Sequence, residues 1–488
     1  MNSLKILATI NGNIGRADIR EGVVFIMKRK GLAVLGLTAA LVVGGATTAL
    51  AAGWQQTSSG AWEYYDNSGN RETDVWRKGA DGLWRYIGGN GYMVTNSWID
   101  DTYYVDNDGV MAAGKWLQLE SNSGNYDGLV WYYFNSDGKR VEEMWKKINN
   151  KWYYFDEEGV MQTGWVLDNT YYTNESGAMV TGWQKLYPPE DEYYEEDSRN
   201  EPVDANAGDG TYWYYFGSNG KKVVPDDSNG SEYQERKING EYYCFDYTGR
   251  MQTGWKNVGE DSTIESYKYY DENGKAVTGT WMSLYAPEEF DDYGDVQWYY
   301  FDSRGIPEMG PEEGQATTKD LKRVNGLTFL FNEKGNPIYG LHKVYTDEDE
   351  GEYTAYYFGS DRLNCAMLTG KQKVEESDGN VVQYYFLDSG KGYTGVNGGY
   401  LYYMGRLQYA DSGDKYLAIS LPTSSGMKNY LVNTSGKTVK NTTVRDNNGT
   451  KYKTGSNGII LKINDEDVGS ETFASPQEPL WWESWDNY

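Results

Sequence analysis

The side chains of this chain that could do chemistry are ring faces. Its 488 residues include 46 Tyr, 18 Trp and 12 Phe, against one His and two Cys. The face of an indole or phenol carries a negative quadrupole. It attracts a cation that cannot be hydrogen-bonded, such as a quaternary ammonium, at ~0.5–2 kcal/mol per ring. The same faces stack on the apolar side of a sugar, with Asn and Asp at the rim. Three walls predict a site of about millimolar affinity, and repetition adds avidity of about 10²–10⁴ toward a polymer. Residues 145–165, WKKINNKWYYFDEEGVMQTGW, gather such rings at regular spacing, with Trp at both ends and Trp152-Tyr153-Tyr154-Phe155 between two polar turns.

Acid–base and nucleophilic catalysis find few players. His342, the one histidine, lacks the partners of a triad or a zinc site. Glu157-Glu158 and Glu288-Glu289 mimic glycosidase carboxylates only in composition; they fall in turns and read as solvated charge. Acid-rich loops offer oxygen ligands for Ca²⁺, but without EF-hand spacing. Gly-rich phosphate loops are absent. Cys244 stands where the repeat elsewhere has Tyr, so it reads as a packed free thiol and not as half of a bridge to Cys365. The chain is therefore expected to be non-enzymatic, with no catalytic residues, no cofactor and no metal. A formal charge of -27 argues against nucleic-acid binding, since phosphate neutralisation needs Lys and Arg.

The elements that must position the rings are strands. Aromatic and β-branched runs favour strands, and Asn-Asn or Glu-Glu-Gly runs favour turns. The rule "aromatic strand, three polar residues, Gly" fits residues 62–69, 84–91, 102–109, 131–138, 152–159, 170–177, 213–220, 242–249, 267–274, 298–305, 328–335 and 383–390. Each copy is read as a hairpin formed by the aromatic strand and the short segment after its Gly (160–163 in the reference stretch), joined by a link Trp. Trp54, Trp76, Trp98, Trp116, Trp145, Trp165, Trp183, Trp255 and Trp281 are those links, about 20 residues apart where loops are short. Acidic insertions stretch the spacing near 187–210, 285–292 and 345–350. A lone hairpin is marginal in water, so neighbours must stack. The predicted fold is all-β, a solenoid of stacked β-hairpin repeats with acidic loop insertions.

The predicted organisation runs as follows. Lys28-Arg29-Lys30, the apolar run 31–46 and Ala49-Leu50-Ala51 read as a signal peptide at 27–51, cleaved after Ala51. Residues 1–26 precede the natural start Met27 and read as a non-native upstream extension. Hairpin repeats fill 52–408, degenerate repeats or a cap fill 409–464, and 465–488 is an acidic tail with Trp481, Trp482 and Trp485, expected to be loose. Membrane contact is expected only through the signal peptide, and no LPxTG-type sorting signal is seen.

MQTGW at 161–165, MVTGW at 179–183 and MQTGW at 251–255 complete a pattern, G-W…W-Y-Y-F-x3-G-x-M-x-T-G-W. It resembles the choline-binding, or cell-wall-binding, repeat of Gram-positive surface proteins over nearly all of the mature chain. Related aromatic repeats in glucan-binding glucosyltransferases and in large secreted toxins bind carbohydrate. The resemblance implies ligand sites between successive hairpins, each an aromatic cage for the choline of teichoic acids. A cage takes the link Trp, the strand-opening Trp, the Met after Gly and an aromatic of the next repeat. Carried onto this chain, that implies one cage of Trp145, Trp152, Met161 and Trp165, a second of Trp76, Trp84, Met93 and Trp98, and two walls of a third, Trp54 and Trp62. Thr102, Thr170, Thr328, Ala355 and Gln383 replace the opening aromatic, and Lys222, Ala276 and Pro307 stand near the expected Met, so those junctions are expected to be structural only. The implied protein is a secreted, non-catalytic surface protein whose partner is a cell-wall polymer, either choline-bearing teichoic acid or polysaccharide. The alternatives are a glucan-binding repeat protein, or a scaffold whose acidic loops bind a protein.

Overall fold

The computed structural model describes residues 52–121, 124–190, 210–225, 232–259, 261–290, 294–346, 351–469, 471–482 and 485. The upstream extension, the signal peptide and most of the acidic insertions lie outside the described residues. The described elements are short antiparallel strands, with single 3₁₀ turns at Ile264–Ser266 and Glu288–Phe290. The fold is the expected all-β stack of hairpins.

The hairpin is drawn differently from the sequence expectation. Met144–Ile148, which carries the link Trp145, pairs with the aromatic strand Lys151–Phe155. Trp145 lies opposite Tyr154, and Trp152 opposite Lys147. Asn149 and Asn150 form the turn with φ of 48° and 66°, the left-handed pair that a type I′ hairpin requires and Asn tolerates. The segment after Gly159, expected to be the second strand, makes a single bridge from Met161 to Phe155 and then leaves for the next hairpin. The Asp–x–x–Gly turn explains the three polar residues. Asp156 Oδ1 accepts the Glu158 and Val160 N–H groups at 3.0 and 2.8 Å. Asp66, Asp106, Asn174, Asp271, Asp302 and Asn332 repeat that pair of bonds at their own turns.

At many of the described junctions one backbone bond joins a hairpin to the next. The carbonyl of the strand-opening residue accepts the N–H of the residue at the Met position one hairpin on. Trp62 accepts from Met93 (2.8 Å), Trp84 from Met111 (2.8 Å), Trp131 from Met161 (2.9 Å) and Trp152 from Met179 (2.8 Å). Thr170 accepts from Lys222 and Tyr242 from Ala276 in the same way. Each Met then lies under the turn glycine of its follower. A Cβ on Gly177 would overlap Met161, and one on Gly220 would overlap Met179, so these turns need glycine for room as well as for positive φ. The last aromatic of each strand forms the dry core: Phe134, Phe155, Phe216, Phe245 and Phe301 are fully buried. The Leu- and Ile-poor composition is therefore no obstacle, because aromatic rings bury large areas each.

Contacts group the residues into two compact units that part between Ala112 and Ala113. The first holds the hairpins Gly53–Gln56/Trp62–Tyr65, Val75–Lys78/Trp84–Ile87 and Ser97–Ile99/Tyr103–Val105. In the second, the repeat gives way beyond Gly370 to a five-stranded sheet, then a long hairpin (Tyr416–Thr423/Gly426–Asn433) and a four-stranded sheet.

The described part of the tail, 471–482 and 485, is docked and not loose, and Trp481 and Trp482 pack against a core that includes Tyr384 and Phe386 of the last full repeat. The tail runs back along the second unit. Ser420 N–H donates to Ala474 O, Gln477 N–H donates to Gln408, and Leu480 N–H donates to the buried Glu376 carboxylate. Glu376 in turn holds Arg406 through a two-pronged ion pair at 2.7 and 2.9 Å. Trp482 N–H donates to Leu341 O, and its indole donates to Glu375 O. Trp485 ends in the core of Ala316, Leu330, Ile338, Val344, Tyr356 and Phe358. Polar tips satisfied at the rim and rings buried inside explain why an acidic segment docks at all.

Candidate functional site

The strand-opening tryptophans are the rings left open. Trp62, Trp84, Trp131, Trp152 and Trp213 keep 36–42% exposure, while the strands around them bury their other rings. Trp62, Trp84, Trp131 and Trp152 are tied by their carbonyls to the next hairpin, so a pocket there closes only when that hairpin docks.

The pocket at the reference stretch has a volume of about 310 Å³ and is lined by Trp145, Trp152, Tyr171, Met179, Ser218 and Asn219. The link and opening Trp are those expected. Met161 and Trp165 are not in it. Met161 packs one junction earlier, against Val141, Ile148, Phe155, Trp116, Tyr133 and Tyr153. Trp165 faces the next junction, 5.0 Å from Tyr214 and 5.2 Å from Tyr172. The cage is displaced by one repeat because the Met bonded to Trp152 is the one after the following turn. Tyr171, 5.2 Å from Trp145, is the third wall. Trp145 also differs from Trp54, Trp165 and Trp255, whose indoles donate to Lys78, Tyr187 and Tyr285 carbonyls at 2.8–3.0 Å. Its buried Nε1 has no protein partner.

In the first unit the same displacement holds. Met93 belongs with Trp54 and Trp62, in a pocket of about 460 Å³ also lined by Gly79, Ala80, Asp81, Arg85 and Asp108. Arg85 takes the place that Tyr171 has in the other pocket. Its fork on Asp81, at 2.8 Å, holds that carboxyl down at about 2. Trp76 meets Tyr103 at 5.3 Å, and Trp84 is tied to Met111. Trp98, expected with Trp76 and Trp84, instead meets its own cross-strand partner Tyr104 edge-on at 5.6 Å.

Other junctions keep the plan and change the chemistry. At the Trp165 junction, Lys222 stands in the Met position. Its Nζ lies 4.9 Å from the Trp165 ring and 5.7 Å from Tyr214, so the chain's own ammonium sits on the rings. At the next but one, Glu235 replaces the link Trp and Lys268 replaces the third wall; the two form an ion pair, with Tyr270 OH donating to the same carboxylate at 2.8 Å. A third pocket, of about 320 Å³, is lined by Trp281, Trp298, Phe329, Pro337, Arg362, Leu363 and Cys365. Sequence reasoning missed it. The proline near the expected Met, Pro307, belongs to the preceding junction, while Pro337 lines this one. The Trp281/Trp298 pairing was the available signal.

The two thiols and the one imidazole are buried. Burial pushes the Cys244 thiol far above its ordinary range and the Cys365 thiol up to about 11. His342 is buried and held neutral. Among the described residues no three His, Cys, Asp or Glu side chains group as metal ligands.

Residues 141–182 match the choline-binding repeat family, and residues 130–139 match a cell wall binding repeat. Glucosyltransferase-S of Streptococcus mutans is 26% identical over 35% of this chain and 12% of its own length. Among solved structures, CbpJ of Streptococcus pneumoniae TIGR4 is 22% identical with a TM-score of 0.37, covering 65% of this chain and 100% of CbpJ. The modular autolysin LytC of Streptococcus pneumoniae is 20% identical with a TM-score of 0.35, covering 62% of this chain and 56% of the autolysin. The chain thus spans only 12% of the curated relative's length and about half of the autolysin's.

Proposed function

We propose that this chain, whose residues 141–182 match the choline-binding repeat family, binds a cell-wall polymer by caging choline-type head groups in pockets between its hairpins. The observation that carries this reading is Lys222. At the junction beside the open Trp145/Trp152 pocket, an ammonium lies over the link Trp and the third wall, 4.9 and 5.7 Å away. The chain itself uses this plan to hold a cation. A quaternary ammonium would occupy the corresponding space where Met179 leaves it open, with Trp145, Trp152 and Tyr171 as walls. The net charge of -27 favours a cationic ligand in general. In this reading the protein is secreted, sits at the cell surface and is not an enzyme; its attachment is multivalent and non-covalent.

A second reading, glucan or other carbohydrate binding, is favoured by one feature. Ser218 and Asn219 give the Trp145/Trp152 pocket a neutral polar rim that suits sugar hydroxyls. Methyl-labelled methionine separates the two. Under the choline reading, millimolar choline shifts the Met179 and Met93 methyl signals and leaves Met161 unmoved. Trp152→Ala weakens the Met179 response about tenfold, since one wall is worth on the order of 1 kcal/mol. Shifts with dextran and none with choline would promote the carbohydrate reading. A Met179 signal blind to both would end the assignment of this pocket.

A further inference from the structure

We propose that the pocket beneath Arg362 is a separate site, selective for a sugar that carries an acidic group and closed to a bare quaternary ammonium. The three pockets descend from one junction plan but differ in charge. Two carboxylates, Asp81 and Asp108, line the Trp54/Trp62 pocket, and its Arg85 is paired with Asp81, so that pocket is net negative. Among the described residues no charged side chain lines the Trp145/Trp152 pocket, and Lys147 Nζ lies 5.9 Å from the Trp152 ring. Among the described residues Arg362 is the one charged residue that lines the Trp281/Trp298 pocket.

The neighbouring carboxylate does not neutralise it. Asp361 is engaged in its own turn, where it accepts the Leu363 N–H at 2.9 Å, the Asn364 N–H at 3.1 Å, the Asn364 side-chain amide and the Ser360 hydroxyl. Among the described residues no carboxylate pairs with Arg362. A guanidinium presents a planar fork matched to carboxylate or phosphate, and it repels a second cation brought within a few ångström.

The remaining walls also depart from an ammonium cage. Pro337 stands in the Met position and removes the soft thioether. Having no N–H, it cannot bond the Trp298 carbonyl; Asn336 Nδ2 does so from 3.3 Å. The Cys365 thiol, held neutral by burial, adds only an apolar wall. What is left is two indoles and a phenyl ring for an apolar face, a rigid proline edge and one positive fork. The volume of about 320 Å³ lies at the small end for ligand pockets and suits one pyranose with its substituent. The proposal does not depend on what the other pockets take.

The test uses the full chain labelled with 5-fluorotryptophan, with the Trp298 and Trp152 signals assigned by Trp→Phe variants. The probes are N-acetylmuramic acid, glucose 6-phosphate, glucose and choline. At least one acidic sugar is expected to shift the Trp298 signal at millimolar concentration, with glucose at least about tenfold weaker, and Arg362→Ala is expected to cost about tenfold. Arg362→Lys should retain part of the effect, and neither substitution should alter the unfolding midpoint. A response to only one acid names the acidic group. The proposal falls if glucose binds as well as the acids, if Arg362→Ala leaves binding unchanged, if no probe moves Trp298, or if choline moves it as readily as it moves Trp152.

Discussion

His342 is the single histidine of the chain, which makes its protonation measurable without ambiguity. Its ring is 1% exposed, with Phe358 at 6.4 Å and Trp485 at 6.2 Å, and its Nε2–H donates to the Tyr339 carbonyl at 2.6 Å. Burial disfavours the imidazolium and pulls the pKa from 6.5 down to about 4, although the bond to Tyr339 opposes the shift. Because the folded value is the lower one, the unfolded chain binds the proton first. This contribution to stability is complete above about pH 6.5 and is lost as the pH falls toward 4. Over the whole interval it amounts to about 3 kcal/mol, of which about 2 kcal/mol is lost by pH 5. The ring Cε1–H signal should therefore titrate near 4. Urea unfolding of the native chain should lose about 2 kcal/mol more between pH 7.5 and pH 5 than unfolding of His342→Gln, in which an amide can still donate to Tyr339. Carboxylates titrate alike in both proteins and cancel. A ring signal with its midpoint near 6.5, or the same pH slope in both proteins, would refute the reasoning.

Two further outcomes follow from the same geometry. Lys222→Met should open the Trp165 junction, so that choline shifts the methyl signal introduced at position 222; no shift at concentrations that move Met179 would mean that the ammonium is not what fills this pocket. Trp485→Ala should cost about 3–5 kcal/mol in denaturant unfolding, as for a large core ring, and should raise the His342 midpoint toward 6.5 because the ring covering it is gone. A change below about 1 kcal/mol would show that the indole is peripheral.

The repeat was legible because aromatic strand, polar turn and glycine recur as a local pattern. The pairing of neighbours was not, because it depends on one backbone bond between hairpins. Met161 and Met179 stand in the same M-x-T-G-W pattern, and the bond from Met179 N–H to Trp152 O shows which of them faces Trp145. Lys222 was legible as a departure from Met, and it takes the structure to see its ammonium on Trp165 and Tyr214. Arg362 was legible only as the residue in the Gly position of a loose copy, 355–362, and it takes the structure to place it on the Trp281/Trp298 pocket. The docking of Trp485 was hidden because nothing in a polar, acidic tail marks a distant core as its destination.

The returning tail has a consequence for the order in which the chain can be completed. Leu480 meets Glu376 across 104 positions and Trp482 meets Glu375 across 107. Hairpins closed by two-residue turns can form as soon as they are synthesised, and each can dock on its predecessor. The core around Ala316, Leu330 and Phe358 cannot finish in this way. It keeps an indole-sized gap until more than a hundred further residues have emerged. Folding in order of synthesis is thus interrupted wherever the tail docks, and the apolar surface around Leu330 and Phe358 stays open until Trp485 arrives.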